Sequence, residues 1–239
     1  MKTKRLIHSV AVAVAIQLGM PGAGSANEDL QLWFPTQVIH PLTEDLTVSL
    51  QVELRMEDDI SDFSELVVKP ALNYHFNEHW ALFGGYKYID KGGGEPDEQD
   101  PWQEVAYSTT YGKLITKYQV RLEERFIHGI DGILPRIRFL THVAHPIADT
   151  PFYLAGFGAV RFNLDDKGEG PVGGFEQIRL YAALGHQLSE HTEVELGYLW
   201  RYENKRFGPS LSDHAIHLQV VIHTDSQLGK KPLARRRYH

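Results

Sequence analysis

Leu46-Thr-Val-Ser-Leu-Gln-Val-Glu-Leu-Arg-Met-Glu57 alternates without a fault: every even position is apolar and every odd one polar or charged. A period of two places successive side chains on opposite faces of a β-strand, so this segment is one long strand with one wet and one oily face. Similar patterns continue to the end of the chain. They define strands at 30–40, 45–57, 63–76, 79–90, 102–111, 113–126, 135–145, 151–163, 174–188, 191–203 and 211–223. No repeated helical period interrupts them, and the fold class expected is an all-β, antiparallel up-and-down barrel of 10–12 strands.

The first residues carry the pattern of a secretory signal. Lys2, Lys4 and Arg5 precede a short apolar core, Val10 to Gly19, and small residues at Gly24 and Ala26 suit cleavage after Ala26. The core is too short to span a membrane as a helix, which needs about 20 residues. The expected organisation is a signal peptide over 1–26, an outer-membrane barrel over 27–224 and a basic tail over 225–239. Loss of Lys2, Lys4 and Arg5 leaves 21 basic against 31 acidic residues, a net charge of −10 after cleavage. That balance argues against a nucleic-acid partner. The chain has no cysteine, so disulfides and thiolate metal sites are excluded.

The connections alternate in length. Short ones lie at 41–44, 77–78, 112, 146–150 and 189–190; long ones at 58–62, 91–101, 127–134, 164–173 and 204–210. Short periplasmic turns and long outer loops are expected of an outer-membrane barrel. Eleven strands conflict with the even count of bacterial single-chain barrels. Two resolutions present themselves: ten wall strands with 30–40 as a plug or rim segment, or twelve with one strand missed. Aromatic residues near strand ends, among them Trp80, Tyr88, Trp102, Tyr111, Phe126, Phe152, Phe162, Trp200 and Tyr202, resemble interfacial girdles.

A soluble barrel that binds a hydrophobic ligand would turn the charged face outward; a membrane barrel turns it inward. In the membrane arrangement the lumen charges are Glu53, Arg55, Lys117, Arg121, Glu123, Arg125, Arg136, Arg138, Arg161, Gln177, Arg179, Glu193, Glu195 and Arg201. Buried charges persist when paired and hydrogen-bonded, so a structural charge network is expected there. Unpaired arginines would instead indicate an anion site. At this strand count little space remains beyond side chains, so a wide general porin is disfavoured and a scaffold or narrow conduit is favoured.

Other chemistry is weaker. His142 and His145, like His214 and His217, are three residues apart and fall on opposite faces of a strand. Ser212-Asp213-His214 has the residue types of a lipid hydrolase or acyltransferase, but adjacent residues do not converge as a triad. No catalytic residue, cofactor or metal site is assigned. The acidic loops (Asp58, Asp59, Asp62; Glu95, Asp97, Glu98, Asp100; Asp165, Asp166, Glu169) offer divalent cations a bridge to lipid phosphates. The expected partners are outer-membrane lipid, lipopolysaccharide and the barrel-assembly machinery.

The hairpin from Gly174 to Tyr202 contains Phe175-Glu-Gln-Ile-Arg179, Leu184-Gly-His-Gln-Leu188 and Leu196-Gly-Tyr-Leu199. It resembles a bacterial family of outer-membrane barrels known only as a domain of unknown function. Trp33, Leu54-Arg55, Val68 to Tyr74, Gly85-Tyr86, Arg121 to Arg125 and Arg136-Ile-Arg138 extend the resemblance over nearly the whole chain that follows Ala26. It implies a fold and a location but no activity. It also singles out Gln177, Arg179, Arg121, Arg125, Arg136 and Arg138 as lumen residues. The chain departs from the usual barrel ending, a terminal aromatic. Its last strand stops near His223, and Lys230, Lys231, Arg235, Arg236 and Arg237 follow in a tail expected to extend into the periplasm.

Overall fold

The computed structural model describes residues 27–224. The expected signal peptide (1–26) and basic tail (225–239) lie outside the described residues. Eleven strands form one closed barrel. They are β1 (Asn27–Pro41), β2 (Leu46–Glu57), β3 (Asp62–His75), β4 (Trp80–Lys91), β5 (Glu98–Tyr111), β6 (Leu114–Ile127), β7 (Leu134–Pro146), β8 (Phe152–Asn163), β9 (Gly174–Gln187), β10 (Thr192–Glu203) and β11 (Leu211–His223). Each pairs with its sequence neighbour in antiparallel fashion.

Closure resolves the parity conflict, and by neither route expected from the sequence. Strands that alternate up and down around a ring can all be antiparallel only if their number is even. An odd ring must contain a parallel seam, and here β1 and β11 supply it, from Asn27 opposite Leu211 to Ile39 opposite His223. The 30–40 segment is therefore neither plug nor rim but a wall strand, and no twelfth strand exists among the described residues. The seam pairing lapses at Phe34 and Pro35. Proline has no N–H to give, so its neighbour on that side loses a ladder bond. Pro70 and Pro101 each likewise pair on one side only.

The alternating pattern sorts the two faces as a membrane barrel would, with oil out and charge in. Leu50, Leu54, Leu72, Val105, Tyr118, Val120, Phe139, Leu184, Leu196, Tyr198 and Ile216 are exposed on the outside. Glu53, Arg121, Glu123, Arg125, Arg136 and Glu195 are buried within.

Three glycines on the inner face explain part of the sequence signature. A Cβ on Gly185 would stand 2.0 Å from the Tyr153 ring, and one on Gly85 would stand 2.5 Å from the Trp102 ring. A Cβ on Gly197 would meet the Ala182 carbonyl at 2.5 Å and the Tyr181 ring at 2.7 Å. Each glycine is a bed on which a neighbouring strand's aromatic lies, the arrangement by which aromatics protect strand glycines. Gly185→Ala is expected to destabilise the barrel by about 1–3 kcal/mol through overpacking. Urea unfolding of the purified protein would measure it, and a midpoint equal to wild type would refute the bed.

Candidate functional site

The inside of the barrel encloses a cavity of about 450 Å³. Its walls run from Gly92, Glu95 and Lys205 near the long loops to Ile39, Asn73 and His223 near the short turns. All the lumen residues expected from the alternation line it, from Glu53 on β2 to Arg201 on β10. They do not form one uniform ladder. They divide into four groups, set by register and by residues the alternation had not marked.

The first group closes the β4–β9 side. Arg125 grips Glu98 with both Nε and Nη2, at 2.7 and 2.8 Å, and gives Nη1 to Glu176 at 2.8 Å and to Asn163 at 3.2 Å. Arg136 donates Nε to Glu123 at 2.6 Å and Nη1 to both Glu176 oxygens at 3.1 and 3.2 Å. Its Nη2 reaches Asp100 at 3.5 Å, and Asp100 also pairs with Lys87. Glu98, Asp100, Glu123, Arg125, Arg136 and Glu176 are all buried. Charges so placed are tolerable because nearly every donor meets an ionised acceptor, in part through bidentate contacts.

Glu98, Asp100 and Glu176 of this group escape the sequence reading, for two reasons. Pro101 suggests a loop over 91–101 that would hold Glu98 and Asp100, and Trp102 next to it reads as part of an interfacial girdle. In the structure β5 begins at Glu98, so Glu98, Asp100, Trp102 and Glu104 share the inner face. Proline is compatible with this strand because the bonds it cannot make fall on one side only. Trp102 is 3 % exposed and lies inside, with the Arg121 guanidinium 3.6 Å above its ring. The alternation Glu98, Asp100, Trp102, Glu104 was the available signal. Glu176 had none. It turns inward because the β8–β9 register slips between Arg161 and Phe162, so Phe162 faces Phe175 while Arg161 faces Gln177. A bulge of this kind places two consecutive residues on one face.

The second group surrounds Trp33, which is 2 % exposed. The Arg55, Arg179 and Arg201 guanidinium carbons stand 3.9, 4.7 and 5.4 Å from its ring. The Trp33 Nε1–H donates to Gln31 at 2.8 Å, and Gln31 donates to Asp29 at 2.9 Å. Arg55 donates to Glu53 at 2.6 Å and pairs with Glu65; Arg201 donates to Asp213 at 2.6 Å. The third group is a line of arginines along β6 to β8. Arg121 lies opposite Arg138, and Arg138 opposite Arg161. Glu104 accepts from Arg121 and Arg138, each at 2.8 Å. Lys117 adds its ammonium 4.5 Å from the Phe83 ring.

The fourth group, near the short turns, is acidic and phenolic. Tyr153 donates to Glu195 at 3.1 Å and lies 3.4 Å from Glu193; Tyr181 donates to the other Glu195 oxygen at 3.1 Å. The His217 ring sits 4.8 Å from that of Tyr181. Its sequence neighbour His214 faces outward and meets the Tyr198 hydroxyl at 2.5 Å. Ser212 takes a bond from the Trp200 indole at 3.1 Å while Asp213 pairs inside with Arg201, so Ser212, Asp213 and His214 do not converge.

Among the described residues no group of three or more His, Asp or Glu side chains is placed to hold a metal ion. Several loop acids instead serve the chain itself. Asp97 accepts from the Tyr88 hydroxyl at 3.0 Å. Asp166 takes the Gly168 N–H at 3.0 Å and pairs with Arg206. These contacts, that N–H first, hold its carboxyl below the usual range.

These features define a closed, odd-stranded β-barrel with an apolar exterior and a charge-filled interior. Residues 30–210 match the family described as "Protein of unknown function (DUF2490)", and the chain belongs to that family. The resemblance read in the sequence to a family of unknown function is thus borne out. The match takes in β1 almost whole and runs through β10; the closing strand β11 lies beyond it. An uncharacterised protein of Methylorubrum extorquens is 23 % identical over 229 residues, covering 92 % of this chain and 97 % of the relative.

Proposed function

We propose that the protein is an integral outer-membrane barrel, exported through a cleaved signal peptide, that provides a narrow polar conduit. The observation that carries this is the pairing of an apolar outer surface with a charged interior on a closed sheet. A soluble protein rarely exposes a continuous apolar surface of such extent, whereas a barrel in lipid requires one. Strands of 12 to 15 residues suit a tilted crossing, which takes about 9–11 within the hydrocarbon. Exposed aromatics mark both rims: Phe76, Trp80, Tyr111 and Phe152 beside the short turns, Phe63 and Phe126 beside the long loops.

The interior supports a narrow passage rather than a wide one. The cavity of about 450 Å³ is lined toward both rims, yet the Arg125–Arg136 network fills one side of it. Wide aqueous channels need about sixteen strands. With the short turns in the periplasm, β1 starts on the outer rim and β11 ends on the periplasmic one.

Fractionation should find the full chain in the outer membrane, migrating faster on gels before heating than after. A soluble periplasmic protein with no heat shift would sink the membrane reading. Reconstituted in planar bilayers, it should conduct in steps well below those of a sixteen-stranded porin. Electrical silence would reject the conduit and leave a scaffold.

A further inference from the structure

The arginine line continues past Arg161. On β9, Gln177 lies opposite Arg161, and on β9–β10 Arg179 lies opposite Arg201. Five adjacent strands, β6 to β10, thus present Arg121, Arg138, Arg161, Arg179 and Arg201 to the lumen. Like charges placed side by side on a sheet repel, and the acids relieve only the ends. Glu104 serves Arg121 and Arg138, and Asp213 serves Arg201. The middle of the line carries no ion pair among the described residues. Among the described residues Arg161 makes no hydrogen bond and no ion pair, and its Nε is buried and unsatisfied. Arg179, only 9 % exposed, donates its Nε to the Gln177 amide oxygen and meets no carboxylate. The Arg138 Nε is also buried without an acceptor.

The neighbouring acids are held by other groups. Glu123 and Glu176 are engaged by Arg136 and Arg125, and Glu53 by Arg55 and Gln51. On β3, Lys69 lines the same cavity, again with no hydrogen bond or ion pair among the described residues. Buried guanidinium groups without counter-charge are expensive. Their planar forks match the oxygens of a phosphate or carboxylate.

We propose that Arg138, Arg161 and Arg179 form a binding site for a small oxyanion, a phosphate or carboxylate group, inside the barrel. The site deepens the conduit reading and rests on it to the extent that the lumen must admit solute. It makes the passage anion-selective, with the oxyanion supplying the charge the acids of this region do not. The size of the cavity restricts the ligand to a small molecule.

The test uses the full chain in detergent and inorganic phosphate, with citrate as the carboxylate arm and chloride at matched ionic strength as the control. Phosphate should raise the temperature at which the folded gel form is lost, citrate should do so too, and chloride should not. The double variant Arg161→Gln/Arg179→Gln should fold and, without phosphate, unfold no earlier than wild type, since it removes unpaired charge. It should need at least about tenfold more phosphate for the same shift, the loss expected for a charge-assisted contact.

Three results would overturn the site: no phosphate effect beyond chloride, an equal effect in the double variant, or early unfolding of that variant in phosphate-free buffer. Bilayer recordings separate the two readings. Phosphate binding with no conductance would sink the conduit and keep the site. Conductance with no anion preference and no phosphate effect would do the reverse.

Discussion

Arg136→Ala is expected to lower the stability of the folded barrel by about 3–5 kcal/mol, the usual cost of removing one partner from a buried ionic cluster. Arg136 is 3 % exposed and reaches Glu123, Asp100 and Glu176 at once. Alanine would leave Asp100 with Lys87, Glu176 with Arg125 and Glu123 with the more distant Arg121 as their remaining close cations. It would also open a gap in the wall-to-wall network linking β5, β6, β7 and β9. Arg136→Lys keeps the charge but not the fork, so it should lose less. Urea unfolding in detergent gives the comparison. Arg136→Ala unfolding at the wild-type midpoint would mean that the network contributes nothing.

Trp33→Ala should cost about as much, roughly 3–5 kcal/mol, by a different physical route. The indole is the largest of the nearly inaccessible side chains, and three guanidinium groups gather round its ring. Its loss leaves a void on the seam strand and removes the π-face beside Arg179, which has no carboxylate. Trp33→Phe, which keeps a smaller ring, should recover part of the difference. If alanine and phenylalanine lost equally, the Nε1–H bond to Gln31, which both lack, rather than the ring would account for the effect. If neither lost anything, the Trp33 cluster would have no role in holding the seam.

The two variants probe opposite sides of the lumen, and their effects should add. Arg136, on β7, reaches β5, β6 and β9; Trp33, on β1, meets β2, β9, β10 and β11. No side chain is shared between the two sets of contacts, and additivity holds for sites without common partners. A strong departure would mean that the barrel responds as one mechanical ring.

Much of this arrangement was legible in the alternation. The strands from β2 onward, their short and long connections and the shared face of Arg121, Arg125, Arg136, Arg138 and Arg179 follow from a period of two, which separates the faces without saying which one is inside. In a closed sheet, each residue has only two faces to choose between. Where the alternation was read too cautiously, the cause was one residue: Pro101 stopped β5 short and hid Glu98 and Asp100. The signature glycines were legible as a motif but not as beds for rings, because Gly185 acquires that meaning only when Tyr153 arrives from β8.

What the sequence determined by itself is the strand, its two faces and the acid-and-arginine chemistry of one of them, because side-chain direction along a strand is a local property. What only the tertiary structure decided is how strands meet. Closure through a parallel seam, the slip that turns Glu176 inward, and the order that places arginine beside arginine from β6 to β8 all depend on register between strands. Register is set by pairing across the whole ring, and no single strand contains it. That is why the charges could be named from the sequence, while the structure was needed to show which of them lack a partner.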